Sequence, residues 1–369
     1  MTPSRLKPSR LPELDALRGI ASVSVMIHHN LAGANLLTGR LRDILVASPL
    51  RVLNDGRAAV MLFFVLSGLV LTRSLVGRNL DMPGMVHWVV QRTLRLMLPA
   101  CAAVVLSGIL YMLIRPVPWP GEAVWLDRTT WMMPPSWSVL LSEGSLLSPS
   151  GTYGFDNVLW SLSVEWRLSV VLPLVAVPLL FAGRRGAAAL LFFGVALACL
   201  VGDTSGRAVY AGDGVVEAVR SCAYFALPFA LGCAIERAGL TVVRAEPLVS
   251  VAAVLAVAGL LRSGGDFALY AASALGIWVV LQEGWLRRVM RGGWLVWLGT
   301  VSFSLYLVHV PILAALHHGL HDVMPTVAIF VISVVASVPA AWLMYVAVER
   351  PTHRLARTVG PWSRRKLSV

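Results

Sequence analysis

The chain has 369 residues, of which 57% are hydrophobic and only 14% charged, with a formal net charge of +12. A soluble protein of this length carries about a quarter charged residues, so the composition excludes an ordinary soluble enzyme. The positive charge does not indicate nucleic acid, because the basic residues sit in short segments between apolar runs, where charge sets topology.

Apolar runs of about 18 to 22 residues recur along the chain and predict an all-α, polytopic transmembrane helix bundle. In chain order the ten predicted spans are 14–32, 58–76, 96–114, 158–181, 186–202, 217–235, 247–262, 267–283, 294–315 and 325–348. The short alternating segments of a β-barrel are missing. The N-terminal run has polar breaks and no small-residue cleavage site, so it reads as an uncleaved first helix. The one long connection, 115–157, is rich in Pro, Trp, Ser and Gly, and its "WSVLLSEGSLL" reads as a short re-entrant or interfacial piece. A basic tail, 351–369, follows the membrane domain 1–350. Cys101, Cys199, Cys222 and Cys233 lie in or at apolar runs without metal-ligand spacing, and no metal is expected.

Ten spans put both termini on one side. With the termini inside, the inner segments hold 21 of the 31 Lys and Arg residues and the outer segments nine, with Arg167 inside a span. This predicts cytoplasmic termini, against the trend of a first outer loop that carries Arg40, Arg42, Arg51 and Arg57.

Ionisable groups within the bilayer are costly and mark functional sites. Here they are Arg18, His28, His29, Glu165, Arg167 and His309. Eleven helical steps from Arg18 to His29 rotate the chain by about 1100° and raise it by roughly 16 Å, so the two share a face. His28 is turned about 80° from Arg18 and reads as a packing or supporting residue. Counting rises from the span ends places His29 and His309 roughly 22 Å, and Glu165 about 18 to 20 Å, from the inner surface. Imidazoles at one level with a carboxylate are the ingredients of a general base. Arg92 and Arg95, just before the third span, form with Arg18 a basic mouth suited to phosphate.

Six motifs in order then resemble the acyltransferase-3 family of bacterial integral-membrane O-acyltransferases. They are "LDALRGIASVSVMIHH" (14–29), "FFVLSGLVLT" (63–72), "QRTLRLMLP" (91–99), "NVLWSLSVEW" (157–166), "VSFSLYLVHVP" (301–311) and "YVAVERP" (345–351). The resemblance implies about ten membrane helices in the bacterial inner membrane. It implies acyl-CoA, usually acetyl-CoA, as cytoplasmic donor, and a hydroxyl of a carbohydrate, a lipid-linked glycan or a small molecule as acceptor. It also implies essential roles for the residues matching Arg18 and His29, and puts Glu165 in the family's Trp-Ser-Leu-x-x-Glu element. Leu168 and Ser169 depart from the Phe-Tyr pair common after that glutamate, and this bears on acceptor choice more than on the reaction.

The expected reaction is O-acyl transfer. CoA phosphates dock at Arg18, Arg92 and Arg95, and His29, oriented by Glu165 or His309, serves as base or transient acyl carrier. Ser67, Ser161, Ser163 and Ser304 are the candidate hydroxyls for stabilising the oxyanion. The rival reading is a proton-coupled transporter or flippase in which His29, Glu165 and His309 relay protons.

Overall fold

The computed structural model describes residues 11–36, 43–44, 48, 51, 54–76, 81–116, 124–147, 153–181, 186, 189, 194, 214–238, 246–263 and 265–359, with backbone alone at 76, 124 and 173–181. Every regular element among them is helical: α1 (Pro12–Gly33), α2 (Gly56–Val76), α3 (Met82–Ile114), α4 (Val124–Thr129), α5 (Trp137–Gly144), α6 (Leu159–Phe181), α7 (Val215–Ala238), α8 (Pro247–Ser263), α9 (Asp266–Leu281), α10 (Trp285–Met290), α11 (Gly293–Leu320), α12 (Thr326–Met344), a π-helical turn (Tyr345–Glu349) and α13 (Arg350–Thr358). Nine of the ten predicted spans coincide with a helix. The predicted span 186–202 lies almost wholly outside the described residues, as does the tail beyond Val359.

Five of these helices are long and apolar enough to cross a membrane: Gly56–Leu75, Met82–Ile114, Val215–Ala238, Gly293–Leu320 and Thr326–Thr358. The protein is therefore a helical membrane protein. α8 and α9 are apolar but only 17 and 16 residues long, roughly 25 Å against a hydrocarbon core of about 30 Å.

α3 starts well before the predicted edge at 96. Asp81 caps it by accepting the Gly84 N–H at 2.9 Å, Pro83 fits its first turn, and Arg115 ends it in a left-handed conformation (φ 53°). Arg92 and Arg95 therefore ride on the helix and do not precede it. Thirty ångströms back from Ile114 is roughly residue 94, so both arginines sit near a membrane edge.

Two close crossings, both made by glycines, hold the bundle. A Cβ at Gly19 of α1 would lie 2.7 Å from the Gly299 nitrogen of α11, and one at Gly299 would overlap the Asp15 carbonyl. The Ser22 hydroxyl donates to the Ser302 carbonyl at 2.8 Å one turn further along. In the same way, Gly68 of α2 abuts the Phe229 carbonyl and Gly232 of α7 abuts the Val65 carbonyl. Small residues permit such approach in lipid, where packing rather than water exclusion drives helix association.

Fully buried Glu13 fastens the start of α1 by accepting from Arg287 at 2.6 Å and Arg291 at 2.7 Å. At the far end of the chain, Pro351 lacks the N–H that an α-helix would need there, and the backbone widens into the π-turn ahead of it. Arg18 of α1 and His353 of α13 line one cavity, so both ends of the described chain share one end of the bundle.

Gly232→Ala will drive a methyl group into the Val65 carbonyl and cost about 1–3 kcal/mol. Gly276→Ala, with nothing within 4 Å of its Cβ position, will be neutral or gain up to about 1 kcal/mol from helix propensity. Thermal unfolding in detergent, followed by tryptophan fluorescence, measures both changes.

Candidate active site

The α1–α11 crossing brings His29 against His309. His29 Nδ1 lies 2.9 Å from His309 Nε2, and His309 Nδ1 lies 3.0 Å from the Leu305 carbonyl oxygen. A carbonyl only accepts, so the His309 Nδ1 carries a proton and, in the neutral ring, its Nε2 accepts. His29 must then donate from Nδ1, which leaves His29 Nε2 with a free lone pair. The partner across α11 is thus fixed by the Leu305 carbonyl, and it fixes the tautomer of His29 in turn.

His309 meets the His29 ring edge on and nearly coplanar (5.2 Å between centroids, 5° between planes), and Trp125 of α4 packs against it with near-parallel planes (5.0 Å, 17°). His309 is completely buried. His29 lines a chamber of about 480 Å³ together with Trp125, Arg128, Tyr153, Asn157, Trp160 and Tyr306. His28 lines the same chamber, so an 80° rotation does not take it away from the cavity. Its Nδ1–H donates to the Asn54 carbonyl at 2.9 Å, and its ring packs over Gly56, where a Cβ would lie 2.7 Å away.

A second chamber of about 140 Å³ gathers Arg18, Arg92, Arg95, Ser67, Glu165, Glu349 and His353. Three helices, α1, α3 and α13, thus converge basic groups on one space. The sequence expectation grouped Glu165 with the histidines, but Glu165 sits here: it accepts from Arg92 and, at 2.8 Å, from Ser67. Depth alone does not give rotation, and the face of α6 that carries Glu165 turns toward α2 and α3. Among the described residues, no carboxylate lies within ion-pair distance of Arg18 or Arg95, so the chamber keeps cationic capacity for an anion. Glu349, in the π-turn, accepts from Ser304 at 2.6 Å. The sequence reading did not single it out, although its motif "YVAVERP" was in view.

Tyr306 lines both chambers. Its hydroxyl lies 2.7 Å from the Ser161 hydroxyl and 3.2 Å from the Val158 carbonyl. It stands one turn before His309, a spacing from which it could have been found. The candidate serines are engaged elsewhere: Ser67 with Glu165, Ser163 with the Leu146 carbonyl at 2.7 Å, and Ser304 with Glu349. Only Ser161 meets Tyr306. Arg167 lies within hydrogen-bonding reach of Cys222.

Described residues of the 115–157 connection, Trp125 to Met132 and Tyr153 to Asn157, wall the His29 chamber. Part of "WSVLLSEGSLL" forms α5, which packs on α3 and leaves Trp137 and Leu141 exposed. Its Glu143 ties down the return segment by accepting from Gly154 N–H at 2.8 Å and Phe155 N–H at 3.0 Å. Trp131, itself at φ 59°, donates its N–H to the Gly154 carbonyl at 2.6 Å. Burial pushes the Glu143 carboxyl up to about 7, against the pull of the backbone N–H donors. Burial, with Glu143 beside it, holds Asp156 well above the carboxylate range.

A family model described as an acyltransferase domain matches residues 11–346. No curated protein and no solved structure matches the chain.

Glu143 and Asp156 retain protons that the unfolded chain releases near pH 4 to 4.5, so the folded state binds more protons above that point. Their contribution to stability therefore declines as pH rises from about 4.5 through about 7 for Glu143 and further for Asp156. Asp156→Asn will therefore gain melting temperature relative to wild type as pH rises from 5 to 8. A difference between variant and wild type that stays flat or falls across this range contradicts the assignment.

Proposed function

Because the chain belongs to the acyltransferase-3 family, we propose that it moves an acyl group, acetyl in the simplest case, from acyl-CoA to a hydroxyl of a carbohydrate or lipid-linked glycan. The observation that carries this reading is the pair of chambers in series. One is rich in arginine, the other holds a tautomer-fixed imidazole, and they meet at Tyr306. The arginine chamber faces the cytoplasm of a bacterial inner membrane, in keeping with the positive-inside bias. The His29 chamber faces the opposite side.

Arg18, Arg92 and Arg95 hold the CoA phosphates, a task suited to permanently charged planar forks. Glu165 keeps Arg92 extended into that space. The pantetheine arm passes Tyr306 and brings the thioester to the His29 chamber. His29 Nε2 then removes the proton from the acceptor hydroxyl as its oxygen attacks the thioester carbon. The Tyr306 hydroxyl, which donates to the Val158 carbonyl at rest, stands on the path of the thioester and turns its proton to the developing oxyanion. When the tetrahedral intermediate collapses, the C–S bond breaks and His29 returns the proton to the departing thiolate. The products are the ester and free CoA. The lipid bilayer supplies the surroundings and no metal takes part in any step.

A proton-coupled transporter built on the same groups would consume no acyl-CoA. Purified protein in nanodiscs, given labelled acetyl-CoA and glycan acceptors, will pass label to the acceptor. His29→Ala will lower the rate by about 10² to 10⁴, the usual share of a general base. His309→Ala will cost about 10- to 100-fold, as loss of an orienting partner does. Label transfer at the wild-type rate by His29→Ala removes His29 as the base. Proton-linked flux without label transfer favours the transporter.

A further inference from the structure

At about 140 Å³ the arginine chamber is far smaller than CoA; sites for drug-sized ligands begin at roughly 300 Å³. It can enclose a diphosphate or part of a pantetheine arm, so the adenosine 3′-phosphate must lie outside it. Charge points the same way. Three arginines line the chamber with two carboxylates, Glu165 and Glu349, and Arg92 is already paired with Glu165. A diphosphate claims the cationic capacity that is left. The 3′-phosphate, a monoester, brings a further charge of about −1.5 to −2 at neutral pH and needs a cation of its own.

α13 supplies one. The helical stretch Thr326–Thr358 has 33 residues, roughly 50 Å of helix against a hydrocarbon core of about 30 Å, so its charged last turns can stand clear of the core. α13 packs on α3, the helix of Arg92 and Arg95. Its His353 lines the chamber, Thr352 and Ala356 are buried, and Arg350, Arg354 and Arg357 are exposed. At about 100° per residue, Arg357 lies about 40° from His353 and one turn beyond it, whereas Arg354 is turned about 100° from His353, opposite the buried face. The charge of Arg357 acts on both Arg95 and His353. Arg357 has no ion pair among the described residues. It is a permanently charged fork, suited to a phosphate, one turn outside a chamber that has no room for that phosphate.

We propose that Arg357 binds the 3′-phosphate of CoA at the mouth of the arginine chamber, and so selects CoA over donors that lack this group. The inference rests on the acyl-CoA reading and adds to it a specificity-determining residue outside the chamber. A lipid headgroup offers the same phosphate chemistry, and the test separates the two.

Full-length protein in nanodiscs of phosphatidylcholine is titrated calorimetrically with CoA and with dephospho-CoA, which lacks only the 3′-phosphate. In the wild type, Kd for dephospho-CoA will exceed that for CoA by about tenfold or more, the share of a charge-assisted contact. Arg357→Gln will bind CoA as weakly as the wild type binds dephospho-CoA, with its affinity for dephospho-CoA unchanged. Arg354→Gln will keep the wild-type ratio. A Kd does not depend on the fraction of protein that folds. Equal binding of the two ligands by the wild type overturns the assignment. So does a ratio that survives in Arg357→Gln, as it will if Arg357 serves only lipid phosphates. A parallel loss of both ligands in Arg357→Gln, or a ratio lost equally in Arg354→Gln, overturns it too. Each of these leaves the acyl-CoA reading standing, whereas no binding of CoA at millimolar concentration overturns both.

Discussion

The close crossing of α1 and α11 is the constraint on which the rest of the site depends. Gly19 and Gly299 let the two backbones approach to a distance that no larger residue permits, and the Ser22–Ser302 bond secures the register. Only in that register does His29 meet His309, and only then can the Leu305 carbonyl dictate, through two imidazoles, which nitrogen of His29 is free. In lipid this order of events is reasonable: small residues set the approach, and polar groups then find partners across it.

The second organising feature is separation. Positive charge collects at one end of the bundle around Arg18, Arg92 and Arg95, while the imidazoles lie beyond Tyr306. Two of the carboxylates have their own arginines: Glu165 pairs with Arg92 and Glu13 with Arg287 and Arg291. Keeping Glu165 away from His29 leaves the base without a neighbouring negative charge. A carboxylate beside it would favour the protonated, inactive imidazole.

Much of this was legible in the sequence. Helix period alone put Arg18 and His29 on one wall, and rise per residue put His309 at the level of His29. What failed was rotation about helices whose neighbours were unknown. Glu165 has the right depth but faces α2 and α3, and His28 lines the chamber despite its phase. Hydropathy also misplaced the start of α3, because His87, Gln91, Arg92 and Arg95 interrupt the apolar run without interrupting the helix. Trp125 could not be found at all. It acts from a six-residue helix in the long connection, where no periodicity points to a partner.

His29 keeps an unprotonated Nε2 because His309 and the Leu305 carbonyl fix its tautomer. Nitrogen-15 spectra of protein with ring-labelled histidine, assigned through His29→Ala and His309→Ala, test it directly. Neutral His29 and His309 will both be protonated at Nδ1 and bare at Nε2. A His29 ring protonated at Nε2 would contradict it.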